Sequence, residues 1–180
     1  MHATICDMVM DLVQNSIEAN AKQIELKVEE INRHLKIAIV DDGKGMDAET
    51  LEKAKDPFWS DGKHRHRKVG LGLPFLYQTA EATGGTAKVD STKGIGTTVE
   101  FEADASHLDL PEFGTFATAA ATMMSYGFQG NLVIERSREA RCYRITKAEL
   151  TDALGDLNDA ESLMLIRRFI EAQEEELGTL

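Results

Sequence analysis

The chain has little of several features that define other classes of protein. Its 180 residues include only two cysteines, Cys6 and Cys142, and their separation matches neither metal-ligand nor redox spacing. We expect free thiols in a reducing cytoplasm. No apolar run approaches the roughly 20 residues that a membrane-spanning helix needs. The N-terminus lacks the basic-then-apolar pattern of a signal peptide. These absences predict a cytoplasmic protein without a membrane contact.

Positive charge is also scarce. Lysine and arginine together number 20 against 31 acidic residues, which gives a net charge of -11. That balance argues against DNA, RNA or an anionic membrane as the main partner. The hydrophobic fraction of 42% and charged fraction of 28% are typical of a soluble globular protein. The length fits one domain, or one domain with a sizeable extension.

Four of the 20 lysines and arginines lie in one short run with two histidines, Lys63-His64-Arg65-His66-Arg67-Lys68. These six side chains repel one another, so a compact structure is not expected there without a bound anion. The run is therefore a candidate lid over phosphate, and a solvated surface loop is the alternative. A metal site is not expected, because no further Cys or His is placed to complete one with His64 and His66.

An acidic, glycine-rich segment follows the most apolar strand pattern of the first half. Residues 35–40 predict a buried strand, and Asp41-Asp-Gly-Lys-Gly-Met46 follows directly. Carboxylates at the end of a buried strand are costly unless they have partners. Glycines permit positive φ angles and the close approach of a flat ligand. The segment predicts that Asp41 is presented as an acceptor in a pocket, and an ordinary Asp-Gly turn is the alternative.

Residues 3–20 predict an amphipathic helix. Asp11, Asn15 and Glu18 form a polar row on the side opposite its apolar face, at spacings of four and three. Such a row is either a solvated outer face or part of a site. Asn15 is the unusual member, because asparagine is a mediocre helix former.

The remaining pattern of the first half predicts alternating helices and hairpins. Strands over 23–28 and 35–40 are joined by a turn at Asn32-Arg33, and Asp47 caps a short helix. Gly70-Leu-Gly-Leu-Pro74 leads into a helix predicted from about Pro74 to Thr83, and the free N–H groups of a glycine-rich turn that opens a helix suit phosphate. Two further strands follow over 86–91 and 96–102.

The second half predicts a smaller α+β unit without a catalytic constellation. It reads as a helix over 113–124, strands over 131–136 and 141–145, and a helix capped by Thr146 with Glu149. A last helix is predicted to begin at Asn158, capped with Glu161. Its predicted apolar side consists of Leu163, Ile166, Phe169, Ile170 and Leu177.

Taken in order, the motifs of the first half resemble the ATP-binding domain of the GHKL superfamily, over about residues 3 to 102. This superfamily includes type II topoisomerases, heat-shock ATPase chaperones, sensor histidine kinases and MutL proteins. The matching segments are Asp11–Ala19 for the N box, Asp41–Met46 for the G1 box, Pro57–Ser60 for the kinase F box, Gly70–Leu73 for the G2 box and Gly96–Thr98 for the last strand.

The resemblance implies an α+β fold: a two-layer sandwich (the Bergerat fold) with a mixed, mostly antiparallel sheet and helices on one face. We expect this ATP-binding domain over residues 1–104 and an α+β extension over 105–180. Asn15 would hold Mg²⁺ through its amide oxygen, which suits a hard cation. Asp41 would accept from the adenine amino group. The other implied nucleotide-binding residues are Gly43, Gly45, Met46, Lys63, Arg65, Lys68, Gly70, Leu71, Gly72, Leu73 and Thr97.

The departures from the family pattern concern catalysis. ATP-hydrolysing members usually carry Glu four residues before the Asn, as general base toward water. This chain has Asp11 there, which is about one methylene shorter. The chain begins directly at the N box, so we expect no dimerisation helix pair with a phospho-accepting histidine. None of its five histidines has a helical setting suited to that role.

Three functions follow as hypotheses. The first is a Mg-ATP-binding enzyme, with Asp11 as base, that hydrolyses ATP slowly or transfers phosphate to a separate protein. The second is a non-catalytic switch in which ATP orders the lid, and the lid or the C-terminal half engages a partner protein. The third is a scaffold with a vestigial site.

Overall fold

A computed structural model describes residues 4–55 and 72–178 of the chain. It consists of helices packed on one mixed sheet. The elements in order are α1 Ile5–Glu18, β1 Gln23–Ile31, β2 His34–Asp41, α2 Ala48–Ala54, α3 Gly72–Thr83, β3 Thr86–Thr92, β4 Gly96–Asp104, α4 Phe116–Ser125, β5 Asn131–Arg138, β6 Arg141–Thr146, α5 Lys147–Leu154 and α6 Ala160–Leu177.

The sheet has six strands in the order β3-β4-β2-β1-β5-β6. Every neighbouring pair is antiparallel except β1 and β5, which are parallel. The predicted hairpin of β1 and β2 is confirmed. Its two turn residues, Asn32 and Arg33, have φ angles of 51° and 64°, as a two-residue turn that matches the strand twist requires.

One face of the sheet carries the core. Strand β1 alternates exposed and buried residues along its whole length, and Ile24, Leu26 and Val28 point inward. Helices α1, α3, α4 and α6 pack side by side over this face. The opposite face carries ion pairs such as Lys27 with Glu135, at 3.2 Å between Nζ and Oε2. The structure confirms the predicted α+β class with a mostly antiparallel sheet.

The sheet continues through the position where the sequence suggested a boundary. Strand β5 pairs with β1 from Asn131 opposite Gln23 to Arg138 opposite Glu30. Residues of α4, such as Ala120 and Met124, belong to the same core as α1. The division at residues 104 and 105 stays a prediction, and the described residues on its two sides share one sheet and one core.

Helix ends agree with the sequence in most places. Thr4 and Asp7 form a capping box at the start of α1. Asp47 caps α2 by accepting from the Thr50 N–H at 2.9 Å, as predicted. Helix α3 begins at Gly72, two residues before the predicted Pro74. No helix within the described ranges 4–55 and 72–178 is both long and apolar enough to traverse a bilayer.

Two predictions about the last helix were wrong. Its cap is Asp159, whose Oδ1 accepts from the N–H groups of Glu161 and Ser162, both at 2.9 Å. Asn158 lies one residue too early, and its own N–H donates to Asp156. Phe169 was predicted on the buried side of this helix, but its exposed fraction is 48%.

Candidate functional site

The carboxylate of Asp41 lies at the end of a central strand and has two protein donors. The Ser16 hydroxyl donates to its Oδ2 at 2.6 Å, and the Gly43 N–H donates to its Oδ1 at 2.9 Å. Strand β2 lies between β1 and β4, and Asp41 is opposite Ile24 and Thr97 in the two ladders. The Ser16 bond therefore fastens helix α1 to the tip of β2.

The polar row of α1 faces the interior in part. Asp11 has an exposed fraction of 7% and is buried, whereas Asn15 and Glu18 are half-buried. A fully solvated outer face is therefore wrong for this helix. Asn15 immediately precedes Ser16, so its backbone is one residue from the donor to Asp41. The side-chain roles of Asn15 and Asp41 toward a ligand stay predictions.

The start of α3 lies against Asp11. A Cβ atom on Gly72 would fall 3.0 Å from Asp11 Oδ2 and 3.2 Å from a methyl group of Leu12. Glycine at this position lets the first turn of α3 approach α1 closely. Leu73 is buried in the core beside it. The α1 carboxylate and the N-terminal turn of α3 are thus neighbours.

The G1 glycines have packing roles within the protein itself. Gly45 has a φ of +58°, and a Cβ there would lie 2.0 Å from the Thr92 carbonyl oxygen. A Cβ on Gly43 would lie 2.8 Å from the Ala19 Cβ. Gly96 is equally confined, because its Cβ would meet the Asp41 carbonyl oxygen at 1.9 Å. Residues 42–46 are therefore pressed between the end of α1 and the β3–β4 turn.

Ser91 joins this loop to the last strand of the motif set, and the sequence analysis missed it. Its Oγ accepts the Met46 N–H at 2.8 Å and lies 2.9 Å from the Thr97 Oγ1. It also donates to the Gly96 carbonyl at 3.2 Å. The pairing of β3 with β4 places Ser91 directly opposite Thr97. The register of the two predicted strands could therefore have indicated Ser91. Ser16 was missed too, although a buried serine in a helix needs an acceptor.

The adjacent residues Asp41 and Asp42 accept hydrogen bonds from different parts of the protein. Asp42 Oδ1 accepts the backbone N–H groups of Lys22 and Gln23 at 2.7 and 2.9 Å. Those hydrogen bonds lower the pKa of Asp42 below its usual range. Asp42 therefore fixes the start of β1, and Asp41 is the carboxylate that meets α1.

Several predicted site residues fall outside the part of the chain that the structure describes. Residues 56–71 lie outside the described residues, and so does the F-box segment within them. The same holds for the predicted phosphate-facing residues Lys63, Arg65, Lys68, Gly70 and Leu71. Within the part of the chain that the structure describes, no three His, Cys, Asp or Glu side chains group as a metal site. A Mg²⁺ ion bound by one amide oxygen together with phosphate oxygens does not require such a group.

With this geometry in view, comparison with known proteins identifies the family. A family model described as histidine kinase-, DNA gyrase B-, and HSP90-like ATPase matches residues 2–107. The chain belongs to this family. Membership of this family implies that the chain binds ATP. The match also confirms the resemblance drawn from the five motifs.

Curated relatives match the same part of the chain. The sensor histidine kinase WalK of Bacillus subtilis (strain 168) is 32% identical over 98 residues, which is 53% of this chain and 16% of that protein. The DNA mismatch repair protein MutL of Clostridium acetobutylicum is 46% identical over 50 residues, covering 28% of this chain and 8% of MutL. The chain therefore spans only a small part of these relatives' length.

A solved structure extends the likeness in fold. The N-terminal domain of a DNA repair protein superposes with a TM-score of 0.58 and 16% sequence identity. The match covers 90% of this chain and 59% of that one. At this identity the likeness concerns the fold alone, and its coverage reaches well into the second half.

Proposed function

We propose that this chain binds Mg-ATP and either hydrolyses it slowly or transfers its phosphate to a separate protein. The observation that supports this most is the Ser16–Asp41 hydrogen bond of 2.6 Å. It brings the N-box helix to the tip of the G1 strand. An adenine site and a metal site at opposite ends of one nucleotide need these two elements side by side.

Asp41 is the proposed adenine anchor. A carboxylate has about four lone-pair positions, and the Ser16 hydroxyl and the Gly43 N–H use two of them. An amino group of a base can therefore add to the same carboxylate. Thr97 and Met46, which Ser91 links, are proposed to line the same end of the site.

Asn15 is the proposed Mg²⁺ ligand, and its amide oxygen suits that hard cation. When bound, the cation supplies charge neutralisation to the phosphate oxygens. Gly72, at the start of α3, is proposed to face the phosphates with its backbone N–H group. Lys63, Arg65, Lys68, Gly70 and Leu71 are proposed to close over them. Leu73 packs the start of α3 into the core.

Asp11 is the proposed general base. It is buried and lies against the first turn of α3, where the phosphates are expected. In hydrolysis a water oxygen bonds to the γ-phosphorus, the bond to the bridging oxygen breaks, and Asp11 accepts the water proton. ADP and phosphate are the products.

The test is a turnover assay with γ-labelled ATP on the purified chain, with and without candidate partner proteins. Asp11→Asn is expected to reduce release of phosphate by about 100-fold or more, in the range of a lost general base. Asp90→Asn is the matched control, because Asp90 is an exposed carboxylate paired with Lys88 on β3. Equal turnover in all three proteins removes Asp11 from the mechanism.

A non-catalytic switch is the second candidate, and a separate contact favours it. The first N–H groups of α1 donate to carbonyls of the second half, Ile5 to Glu112 and Cys6 to Phe113, both at 2.9 Å. The helix that carries Asn15 is therefore attached to the C-terminal half. A switch predicts heat of Mg-ATP binding in calorimetry together with turnover no greater than in buffer.

A further inference from the structure

A row of polar side chains crosses three neighbouring strands at the end of the sheet that carries Asp41. Ser91 on β3 is opposite Thr97 on β4, and Thr97 is opposite Asp41 on β2. Directly opposed residues have their side chains on the same face of a sheet. The residues two positions away on the same three strands are buried in the core: Val89, Val99 and Ile39. The row therefore lies on the face that the helices cover.

The Ser91 hydroxyl makes three polar contacts, and two of them have fixed donor and acceptor roles. The Met46 backbone N–H can only donate, and it lies 2.8 Å from Ser91 Oγ. The Gly96 carbonyl oxygen can only accept, and it lies 3.2 Å from the same atom. A hydroxyl group has one proton and two lone pairs. Ser91 therefore gives its proton to Gly96, and one lone pair remains after it accepts from Met46.

The third contact joins Ser91 Oγ to Thr97 Oγ1, at 2.9 Å. Because the Ser91 proton is already used, the Thr97 hydroxyl is the donor in this pair. Thr97 Oγ1 then retains only lone pairs for a ligand. The neighbouring Asp41 carboxylate is an acceptor as well, and the donors from Ser16 and Gly43 use one lone pair on each of its oxygens. Two acceptors therefore stand side by side in the row.

We propose that Ser91 is a positioning residue, which makes Thr97 an acceptor and thereby sets the base preference of the site. This inference rests on the proposed nucleotide site. Two adjacent acceptors suit a purine with an exocyclic amino group, which has two N–H donors. They disfavour a purine with a carbonyl oxygen at that position, because lone pairs would then face one another without a proton between them. The expected preference is for 6-aminopurine over 6-oxopurine nucleotides.

Calorimetry of the full chain with Mg-ATP and with Mg-ITP, the 6-oxopurine counterpart of ATP, tests the proposal. The wild type is expected to bind ATP at least about 10-fold more tightly than ITP. Ser91→Ala is expected to reduce this ratio by about 3- to 10-fold, because the Thr97 hydroxyl is then able to turn its proton toward a carbonyl oxygen. A purely structural role of Ser91 would weaken the binding of both nucleotides equally and leave the ratio unchanged.

Further variants test whether Ser91 acts through Thr97. Ser91→Thr retains the hydroxyl group and is expected to retain the preference for ATP. Thr97→Val removes the oxygen at nearly constant shape and is expected to reduce the ratio, and adding Ser91→Ala to it should reduce the ratio no further. Ser137→Ala is the matched control, because Ser137 is also a half-buried serine on a strand of this sheet. It should change either affinity by less than about twofold.

The possible failures are distinguishable. Equal affinity of the wild type for ATP and ITP overturns the inference, and so does a ratio that Ser91→Ala or Thr97→Val leaves unchanged. A further loss of selectivity in the double variant overturns it too, because Ser91 would then act by another route. A wild type that binds neither nucleotide overturns the proposed function and this inference together. Far-UV circular dichroism checks folding, and Thr97→Val decides the outcome if Ser91→Ala does not fold.

Discussion

Two polar clusters lie on this sheet, and they differ in how their charges are compensated. At the tip of β2, the partly buried Asp41 carboxylate meets one hydroxyl and one backbone N–H, both neutral. Under α6, Arg136 is only 1% exposed and lies among charged partners. Its guanidinium is 3.5 Å from Glu30 Oε2 and 3.6 Å from Glu174 Oε1.

The charges of the Arg136 cluster are compensated within the protein. The guanidinium lies 5.2 and 5.6 Å from the ring centroids of Phe113 and Phe116, in cation–π range. Burial and the Glu174 carboxylate raise the pKa of the neighbouring Tyr143 well above its usual range. Every charge here is opposed by another of the same chain. The Arg136 cluster joins strands to α6, whereas the Asp41 carboxylate accepts from two neutral donors that use two of its about four lone-pair positions.

Removing the Arg136 guanidinium should destabilise the Arg136 cluster. Arg136→Met is expected to lower the free energy of unfolding by about 3–5 kcal/mol, because it leaves Glu30 and Glu174 without their buried partner. Arg144→Met is the control, since Arg144 is half exposed and 3.7 Å from Glu135, and should cost under about 1 kcal/mol. Urea denaturation of both variants measures this. Equal losses would show that the Arg136 cluster adds nothing beyond a surface ion pair.

The loop of residues 42–46, which follows Asp41, is tightly packed. Gly45→Ala is expected to destabilise the folded protein in two ways. The positive φ costs about 1–2 kcal/mol for a residue with a Cβ atom. That Cβ atom would also lie 2.0 Å from the Thr92 carbonyl oxygen, and such overpacking adds about 1–3 kcal/mol. Gly94→Ala shares the positive φ, of +80°, but has nothing within 4 Å. Comparing the two by thermal unfolding isolates the steric part. If Gly94→Ala is as harmful, close packing against Thr92 is not the reason.

Substituting Asp41 tests its proposed role as the adenine anchor. Asp41→Asn is expected to weaken Mg-ATP binding by about 10- to 150-fold, corresponding to the roughly 1.5–3 kcal/mol of a charged hydrogen bond. Asp42→Asn removes the neighbouring carboxylate that binds Lys22 and Gln23 N–H groups, and should change affinity by less than about twofold. Isothermal calorimetry measures both. An unchanged affinity in Asp41→Asn would contradict the adenine role.

The smallest expected effect concerns Cys6, which is buried beside the Arg136 cluster. Burial, and secondarily Asp7, raises the pKa of Cys6 to about 12. Since a thiol reacts as thiolate, only about one part in ten thousand of Cys6 is reactive at pH 8. A thiol reagent at pH 8 should therefore label the exposed Cys142 alone in the folded protein and both cysteines in denaturant. The raised pKa also predicts that the contribution of Cys6 to stability falls as pH rises from about 9 toward 12.

Local patterns in the sequence determined much of the first half. Alternation fixed the β1–β2 hairpin, capping residues fixed the starts of α2 and α5, and motif order identified the family before any coordinates. These features could be predicted because each depends on residues within a few positions of one another. The place of Asp41 directly after an apolar strand also predicts that it, rather than Asp42, is the site carboxylate, and that role stays a prediction.

Only the tertiary structure decided which faces are covered and which distant segments meet. Strand β5 lies beside β1, about 100 residues away in the chain, and no local pattern predicts the register of that pair. Periodicity shows that a helix has two faces but not what covers each, so Asp11 proved buried and Phe169 exposed. Arg136 could be buried only because Glu30 and Glu174, from different elements, converge on it.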